Sequence, residues 1–175
     1  MDDMIRLIEP LIPSLRRYAR SLVRDASEAD DLIQDCLERA VDRWGQRRKT
    51  SDARSWLFSI LHNLAISRWR RVQRRGLHLA IDGVAEAALS APASQLDGMQ
   101  HADLLRALAE LSPDSRAVIL LVGVEDLTYA QAAEVLGVPI GTVMSRLSRA
   151  RERLAQLIAV DAAQPAQRPH LRRIK

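Results

Sequence analysis

Residues 127–147 combine two short helical patterns with hydroxyl and guanidinium side chains that could contact DNA. Thr128 is followed three residues later by Gln131, which is the spacing of a capping box. Gly137 can supply the left-handed residue of a tight turn, and Ala133 offers a small side chain where we expect two helices to cross. The pattern predicts a helix-turn-helix, the unit that presents its second helix to the major groove.

The second of these helices has an apolar side and a polar side. Apolar residues recur at intervals of three and four, which predicts a buried stripe made of Val143, Leu147, Ala150, Leu154 and Leu157. The opposite side could offer hydrogen-bond donors to base edges and phosphates, and it carries Thr142, Ser145, Arg146, Arg149 and Arg153. The competing interpretation is an ordinary helical hairpin with a solvated basic face.

A second basic region lies nearer the N-terminus. Residues 43–76 hold ten bases and one acid, together with four of the six aromatic residues of the chain. Cations and aromatic rings are the mixture that holds single-stranded nucleic acid. Trp56 and Phe58 fall on an apolar helical stripe and are expected in the core, so Trp69 and the arginines are the better candidates. Asn63 either makes an internal hydrogen bond or contacts a base.

An acidic helix precedes this basic region. Residues 25–42 hold seven acids and one base. Leu32, Cys36 and Ala40 are spaced to face inward, whereas Asp31 and Asp35 fall on the opposite side. Such a face repels DNA, so it is either a solvated helix or a docking face for a basic protein partner.

Composition favours an all-α fold and excludes several functional classes. The 175 residues are 47% hydrophobic but 3% aromatic, and no alternating run of β-branched residues predicts a sheet. We expect a cytoplasmic protein without membrane insertion, because no apolar stretch is long enough to span a bilayer. Histidines without metal-ligand spacing and the lack of a nucleophile with a partnered base predict no metal, no cofactor and no enzymatic activity. Cys36 is expected to be a buried thiol.

The order of the patterns predicts two small helical domains. Residues 1–75 form the first, 76–98 a flexible linker rich in small residues, 99–160 the second, and 161–175 a disordered basic tail. Helix starts are predicted at Ser27, at Ser51 or Asp52, and at Ser112 with Pro113 in the first turn. An N-terminal helix pair broken near Pro10 and Pro13 is expected to direct four leucines into the core, namely Leu7, Leu11, Leu15 and Leu22.

With these motifs in order, the chain resembles an extracytoplasmic-function (ECF) sigma factor, a small specificity subunit of bacterial RNA polymerase. The resemblance covers roughly residues 11–158. It depends on residues 28–35, which look like the polymerase-docking helix of the family, on residues 55–63 with the following arginines, which look like its minus-ten segment, and on residues 127–153, which look like its minus-thirty-five reader.

The resemblance implies three sets of contact residues. The docking face, for the coiled coil of the large polymerase subunit, comprises Asp30, Asp31, Gln34 and Asp35. The minus-ten surface comprises Asn63, Arg68, Trp69, Arg70 and Arg71. The minus-thirty-five surface comprises Thr128, Thr142, Ser145, Arg146, Ser148 and Arg149.

The implied partners are core RNA polymerase, promoter DNA and an anti-sigma factor, and the implied regulon serves a stress or envelope response. Two residues depart from the family pattern: Met144 stands where many relatives have a basic residue, and Val41 where an aromatic is frequent. Two other hypotheses compete. One is a stand-alone helix-turn-helix regulator with an N-terminal sensing or dimerisation domain, and the other is a helical adaptor that binds proteins only.

Overall fold

In a computed structural model of the chain, the structure describes residues 2–23, 25–47, 52–74 and 104–163. The described residues are almost entirely helical, which confirms the all-α class. The helices are α1 (Asp2–Ile8), α2 (Ile12–Leu22), α3 (Ala26–Arg43), α4 (Ala53–Arg74), α5 (104–110), α6 (Pro113–Ile119), α7 (Tyr129–Leu136) and α8 (Ile140–Ala163). Short 3₁₀ turns lie at Glu9–Leu11 and Trp44–Gln46, and a π turn at Leu120–Val124 extends α6.

The first domain packs α2, α3 and α4 against one another. Its core contains Leu15, Leu32 and Phe58, which are almost completely buried. Cys36 is also buried, as predicted, and burial raises the pKa of its thiol to about 12. Asp52 receives hydrogen bonds from the backbone N–H groups of Arg54 and Ser55, which confirms one of the two predicted starts for α4.

The second domain packs α8 against α6 and α7. Val143, Leu147 and Ala150 are buried and Leu154 and Leu157 are partly buried, so the predicted stripe is confirmed. The Ser112 side chain accepts a hydrogen bond from the backbone of Ser115, with Pro113 in the first turn. These features confirm the predicted start of α6.

Two local predictions were wrong. Asp25, not Ser27, caps α3, because its carboxylate accepts a 2.9 Å hydrogen bond from the backbone N–H of Glu28. Leu7 is 40% exposed, since Ile8 takes the buried position at the end of α1. In the helix-turn-helix, Ala133 is partly buried and packs against the core, next to the fully buried Ala132.

The two domains share one continuous hydrophobic core across the packing of α4 on α7. The sequence did not predict this contact. The proposed linker, the basic tail from residue 164 and both predicted boundaries next to the linker lie outside the described residues. α8 continues to Ala163, three residues past the predicted end of the second domain. Within the described ranges, no helix combines the length and apolar character needed to cross a membrane.

Candidate nucleic-acid interface

The helix-turn-helix is built by local hydrogen bonds that its sequence dictates. The backbone N–H of Gln131 donates to the Thr128 hydroxyl at 3.2 Å, and the Thr128 N–H donates to the Gln131 side chain at 2.9 Å. This reciprocal pair is the predicted capping box, and it fixes the start of α7. Gly137 ends α7 with φ 63°, in the left-handed region that glycine adopts without strain. Gly137 therefore supplies the left-handed residue of the turn between α7 and α8, as predicted.

The predicted minus-thirty-five surface follows one side of α8 from its first turn onward. Ser145, Ser148 and Arg149 are exposed. The Arg149 guanidinium folds back along the helix and its Nε donates to the backbone oxygen of Ser145 at 3.2 Å. Arg146 is partly buried and pairs with Asp114 of α6 at 3.1 Å. Hydroxyl and guanidinium groups thus lie within the first three turns of one helix, with its apolar stripe turned into the core.

Thr128 and Thr142 lie at the borders of this surface. Thr128 caps α7 and its side chain is engaged with Gln131, while Thr142 is partly buried in the first turn of α8. The capping box fixes Thr128 at the start of α7, and the first turn of α8 fixes Thr142. All six predicted residues therefore lie on the two helices of one motif or at their starts.

The predicted minus-ten surface lies on α4. Asn63 is exposed, which argues against the internal hydrogen bond that was one of its two interpretations. Trp69 is 48% exposed, and Arg70 and Arg71 are exposed at the C-terminal part of the same helix. Trp56 instead packs edge-to-face against Trp44 with ring centroids 5.9 Å apart, and Phe58 is buried. The aromatic residues thus divide between core and surface as expected.

The predicted docking face lies on α3, on the side turned away from its buried stripe. Its four residues, Asp30, Asp31, Gln34 and Asp35, are all exposed. Asp30 pairs with Arg16 of α2 at 3.5 Å, and Gln34 donates to Glu38 one turn later at 3.1 Å. An exposed face with three carboxylates is chemically suited to a basic partner and unsuited to DNA.

A groove between α3 and α4 joins the docking face to the minus-ten surface. Asp31, Gln34 and Asp35 line one wall, and Arg68 and Arg71 line the other. Asp31 and Arg68 form an ion pair across the groove at 3.5 Å. The sequence pattern treated these as separate sets, yet the packing of α3 on α4 brings them together.

Glu125 forms an ionic clasp between the two domains that the sequence analysis missed. Its side chain is 1% exposed and lies after the π turn. Arg17 of α2 donates to both carboxylate oxygens, at 2.8 and 2.9 Å, and this contact raises the pKa of the Arg17 guanidinium. Arg54 of α4 donates to the Glu125 backbone oxygen and approaches its carboxylate at 3.7 Å. One buried anion thus connects α2, α4 and the second domain.

Two further hydrogen bonds cross the same interface. The Gln131 side chain donates to Asp52 at 2.8 Å, and the buried Ser55 hydroxyl donates to Glu134 at 3.1 Å. Asp52 and Gln131 also serve as helix-cap residues, so each has a local role and a role between domains. Sequence spacing could reveal the local role alone, because the partners lie 79 residues apart.

Family models match both domains. Residues 8–62 match the Sigma2 domain of PhyR, and residues 101–154 match Sigma-70, region 4. The first match contains the docking face and ends one residue before Asn63, and the second contains the whole minus-thirty-five surface.

Whole-chain comparisons agree with these matches. The chain is 37% identical to the ECF RNA polymerase sigma factor EcfG of Rhodopseudomonas palustris, over 93% of this chain and 87% of that protein. It is 34% identical to the ECF RNA polymerase sigma factor SigC of Mycobacterium tuberculosis, over 74% of this chain and 70% of the relative.

Among solved structures, the fold is similar to the sigma factor RpoE in complex with the anti-sigma factor NepR from Bartonella quintana. That match has a TM-score of 0.78 and 34% identity, and it covers 92% of this chain and 99% of the other. CnrH in complex with the cytosolic domain of CnrY matches with a TM-score of 0.67 and 26% identity, over 90% and 88% of the two chains.

Proposed function

The chain belongs to the ECF family of RNA polymerase sigma factors, and from this premise we propose that it binds core RNA polymerase through α3 and directs it to promoters through α4 and α8. The observation that carries the proposal is the arrangement of three chemically distinct surfaces: an anionic one on α3, a cationic and aromatic one on α4, and a hydroxyl-rich cationic one on α8. Its site of action is the cytoplasm, where the transcribing polymerase is found, and sigma factors are not enzymes.

Docking through α3 is supported by the charge and exposure of that helix. Asp30, Asp31 and Asp35 lie together on its solvent side, and a charged surface complementary to a basic partner speeds encounter and fixes orientation. The groove beside it ends on Arg68 and Arg71 of the minus-ten surface. Polymerase bound at the docking face would therefore lie next to the place where we propose that the opened strand is captured.

The two DNA surfaces suit two forms of the promoter. The helix-turn-helix suits an intact duplex, since its second helix presents short polar side chains to base edges. The α4 surface suits single-stranded bases, because Trp69 can stack on a base while neighbouring arginines contact phosphates. Binding at one site raises the effective concentration of the other, so two modest affinities combine.

Simultaneous contact with both promoter elements requires the domains to separate. Elements centred about 25 base pairs apart are roughly 85 Å apart at 3.4 Å per base pair. When the ionic clasp holds the domains together, α4 packs on α7 and α7 packs on α8. Packed helices lie about 10 Å apart and rise about 1.5 Å per residue. Asn63 and Ser145 are therefore within roughly 40 Å of each other. The clasped form therefore holds one element at a time.

An anti-sigma factor is the second proposed partner. The solved relative RpoE is in complex with the anti-sigma factor NepR. The solved relative CnrH is in complex with the cytosolic domain of CnrY. The likeness of this chain to both supports control by a protein of that kind. On the same basis, we propose that the regulon serves a stress or envelope response.

The test is transcription in vitro by purified core polymerase with and without the full chain, on a library of genomic fragments. We expect defined start sites that depend on the chain. The double variant Asp31→Arg with Asp35→Arg should lose core binding in a pull-down by about tenfold or more, because it reverses the charge of the docking face and like charges across an interface repel. Glu9→Arg with Glu110→Arg is the matched control, since both residues are exposed acids on other elements and the change in charge is equal.

Two results would contradict the proposal. Retained core binding by the α3 double variant would remove the docking assignment. Tight, sequence-specific binding of the purified chain to duplex DNA, without any effect on polymerase, would favour a stand-alone regulator. Associations that are insensitive to both salt and nucleic acid would instead favour a protein-binding adaptor, because phosphate contacts weaken steeply with salt.

A further inference from the structure

Two large apolar side chains stand exposed at the start of α8, on the helix that carries the minus-thirty-five surface. Ile140 is 49% exposed and Met144 is 53% exposed. They are four residues apart and lie on the same side of the helix. The core of the domain does not need them, because Val143 and Leu147 already fill the buried stripe.

The surroundings of Met144 make its side chain accessible to a ligand in front of the helix. At 100° per residue, Gly141 lies about 60° and Ser148 about 40° from Met144 around the helix axis. Both neighbours are exposed and short, as is Ser145 on the next position. A long thioether among glycine and serines projects beyond them, so it would be the first side chain to meet a surface that approaches this part of α8.

The chemistry of the major groove offers one apolar feature to such a side chain. Guanine, cytosine and adenine present donors and acceptors there, whereas thymine also presents its C5-methyl group. Methionine has no strong hydrogen-bonding group and adapts its shape to apolar surfaces. Because the first turns of the second helix come closest to the bases in a helix-turn-helix, Met144 is positioned to meet this methyl group.

We propose that Met144 determines specificity by contacting the C5-methyl group of one thymine in the upstream promoter element. The inference rests on the proposed function, since it assumes that α8 enters the major groove. Ser148 and Ser145 supply polar groups beside it, so the expected target is a thymine flanked by bases with accessible acceptors or donors.

The experiment removes the methyl group from DNA and the thioether from the protein separately. Core polymerase with the full chain first selects an active promoter from a pool with a randomised upstream element. Each thymine of that element is then replaced by deoxyuridine, which lacks only the methyl group. Transcription by the unchanged protein should fall about three- to fivefold at one position, the effect of one apolar carbon group removed from a contact. Met144→Ala should show the same lower rate whether thymine or deoxyuridine is present.

Three variants complete the design. Met144→Leu should keep most of the methyl effect, because its side chain remains apolar and of similar volume. Ile140→Ala should also keep the methyl effect. This variant is the matched control, because it removes a neighbouring exposed apolar side chain. Met144→Arg should lose the preference for thymine at that position. Thermal unfolding of each variant verifies that the exposed substitutions leave the fold intact.

Several outcomes would overturn the inference. Deoxyuridine could lower transcription equally with the unchanged protein and with Met144→Ala, or at no position at all. Loss of the methyl effect with Ile140→Ala alone would assign the contact to Ile140. Weaker binding of an anti-sigma factor by Met144→Ala, with unchanged promoter choice, would assign the patch to a protein partner. If the pool yields no transcription, the proposed function fails together with this inference, whereas the other outcomes remove this inference alone.

Discussion

His62 is a buried titratable group in the core of the first domain. Its side chain is nearly inaccessible, and Nδ1 lies 3.0 Å from the Tyr18 hydroxyl. Burial lowers the pKa of the His62 imidazole below its ordinary value of 6.5, because the charged ring is poorly solvated there. The neutral ring is therefore the form that the folded core accepts.

This environment predicts a pH-dependent stability. Below pH 6.5 the unfolded chain binds a proton at His62 that the folded chain does not, so the free energy of unfolding falls as pH decreases from 6.5 to the lower folded pKa. We expect the melting temperature to decline over that interval and the decline to be smaller in His62→Gln. Thermal unfolding from pH 7.5 to pH 5 measures both. An equal pH dependence in the two proteins would contradict the assignment to His62.

Arg149 is the exposed cation of the minus-thirty-five surface that lies nearest to Ser145. Its replacement by alanine should weaken use of the upstream element, because each good bidentate contact with a base contributes about 1–3 kcal/mol. We expect five- to hundredfold less transcription from promoters that depend on that element. Arg6→Ala, which removes an exposed arginine from α1, is the control. An unchanged footprint over the upstream element with Arg149→Ala would reject this role.

At the residue scale, the sequence predicted burial better than it predicted contacts. The apolar spacing around Cys36 was sufficient to predict its burial. The two interpretations of Asn63 could not be separated from the sequence, because exposure at one position of a helix depends on what packs against that helix. The roles of the docking and DNA-contact residues remain predictions.

Helix starts and the turn of the helix-turn-helix were predictable because their determinants are local. Thr128 with Gln131, Ser112 with Pro113, and Asp52 each act within four residues. The error at α3 has the same origin: Asp25 and Ser27 are both good cap residues, and the carboxylate that reaches Glu28 is the one used. The π turn after α6 has no sequence signal that we can identify.

Two glycines of this motif allow a matched test of backbone strain. Gly137 has φ 63°, and an added Cβ would meet no atom within 4 Å, so Gly137→Ala should cost about 1 kcal/mol through conformation alone. Gly141 lies inside α8 with equally open space. Gly141→Ala should therefore raise stability by roughly 0.5–1 kcal/mol. Chemical denaturation of both variants measures the difference, and a change of the same sign in both would contradict it.

For the molecule as a whole, the packing of the second domain on the first is the feature that sequence could not supply. Arg17 and Glu125 are 108 residues apart, and no local pattern indicates that they pair. In the sequence, each looks like an ordinary charged residue of its own segment. The packing of α4 on α7 places them in one interface. Charge patterning along the chain showed separated basic regions but carried no information about the distance between them in space.

The ionic clasp predicts how the domains are held together. Glu125→Ala leaves Arg17 and Arg54 without their shared carboxylate, and loss of one partner of a buried pair is costly. Because Arg17 is partly exposed, we expect the packing of the second domain on the first to weaken by about 1–3 kcal/mol. Small-angle scattering should then show a larger radius of gyration than in the unchanged protein.

Glu152→Ala, which removes an exposed acid from α8, is the control for this measurement. If the ionic clasp holds the two domains together, the control should keep the radius of gyration of the unchanged protein. Arg17→Ala should then increase the radius as Glu125→Ala does. An unchanged radius with both clasp variants would show that apolar packing between α4 and α7 is sufficient to hold the closed form.

Under the proposed function, the ion pair between Asp31 and Arg68 links two binding events, because each event uses one partner of the pair. A protein that takes Asp31 into its own contacts leaves the guanidinium of Arg68 available to a phosphate, and a strand that takes Arg68 leaves the carboxylate available to the protein. The two affinities are then linked and must help each other by the same factor. For an exposed pair that factor is small, about fivefold or less. If the two surfaces act as proposed, polymerase binding would favour strand capture by that factor without any change of fold.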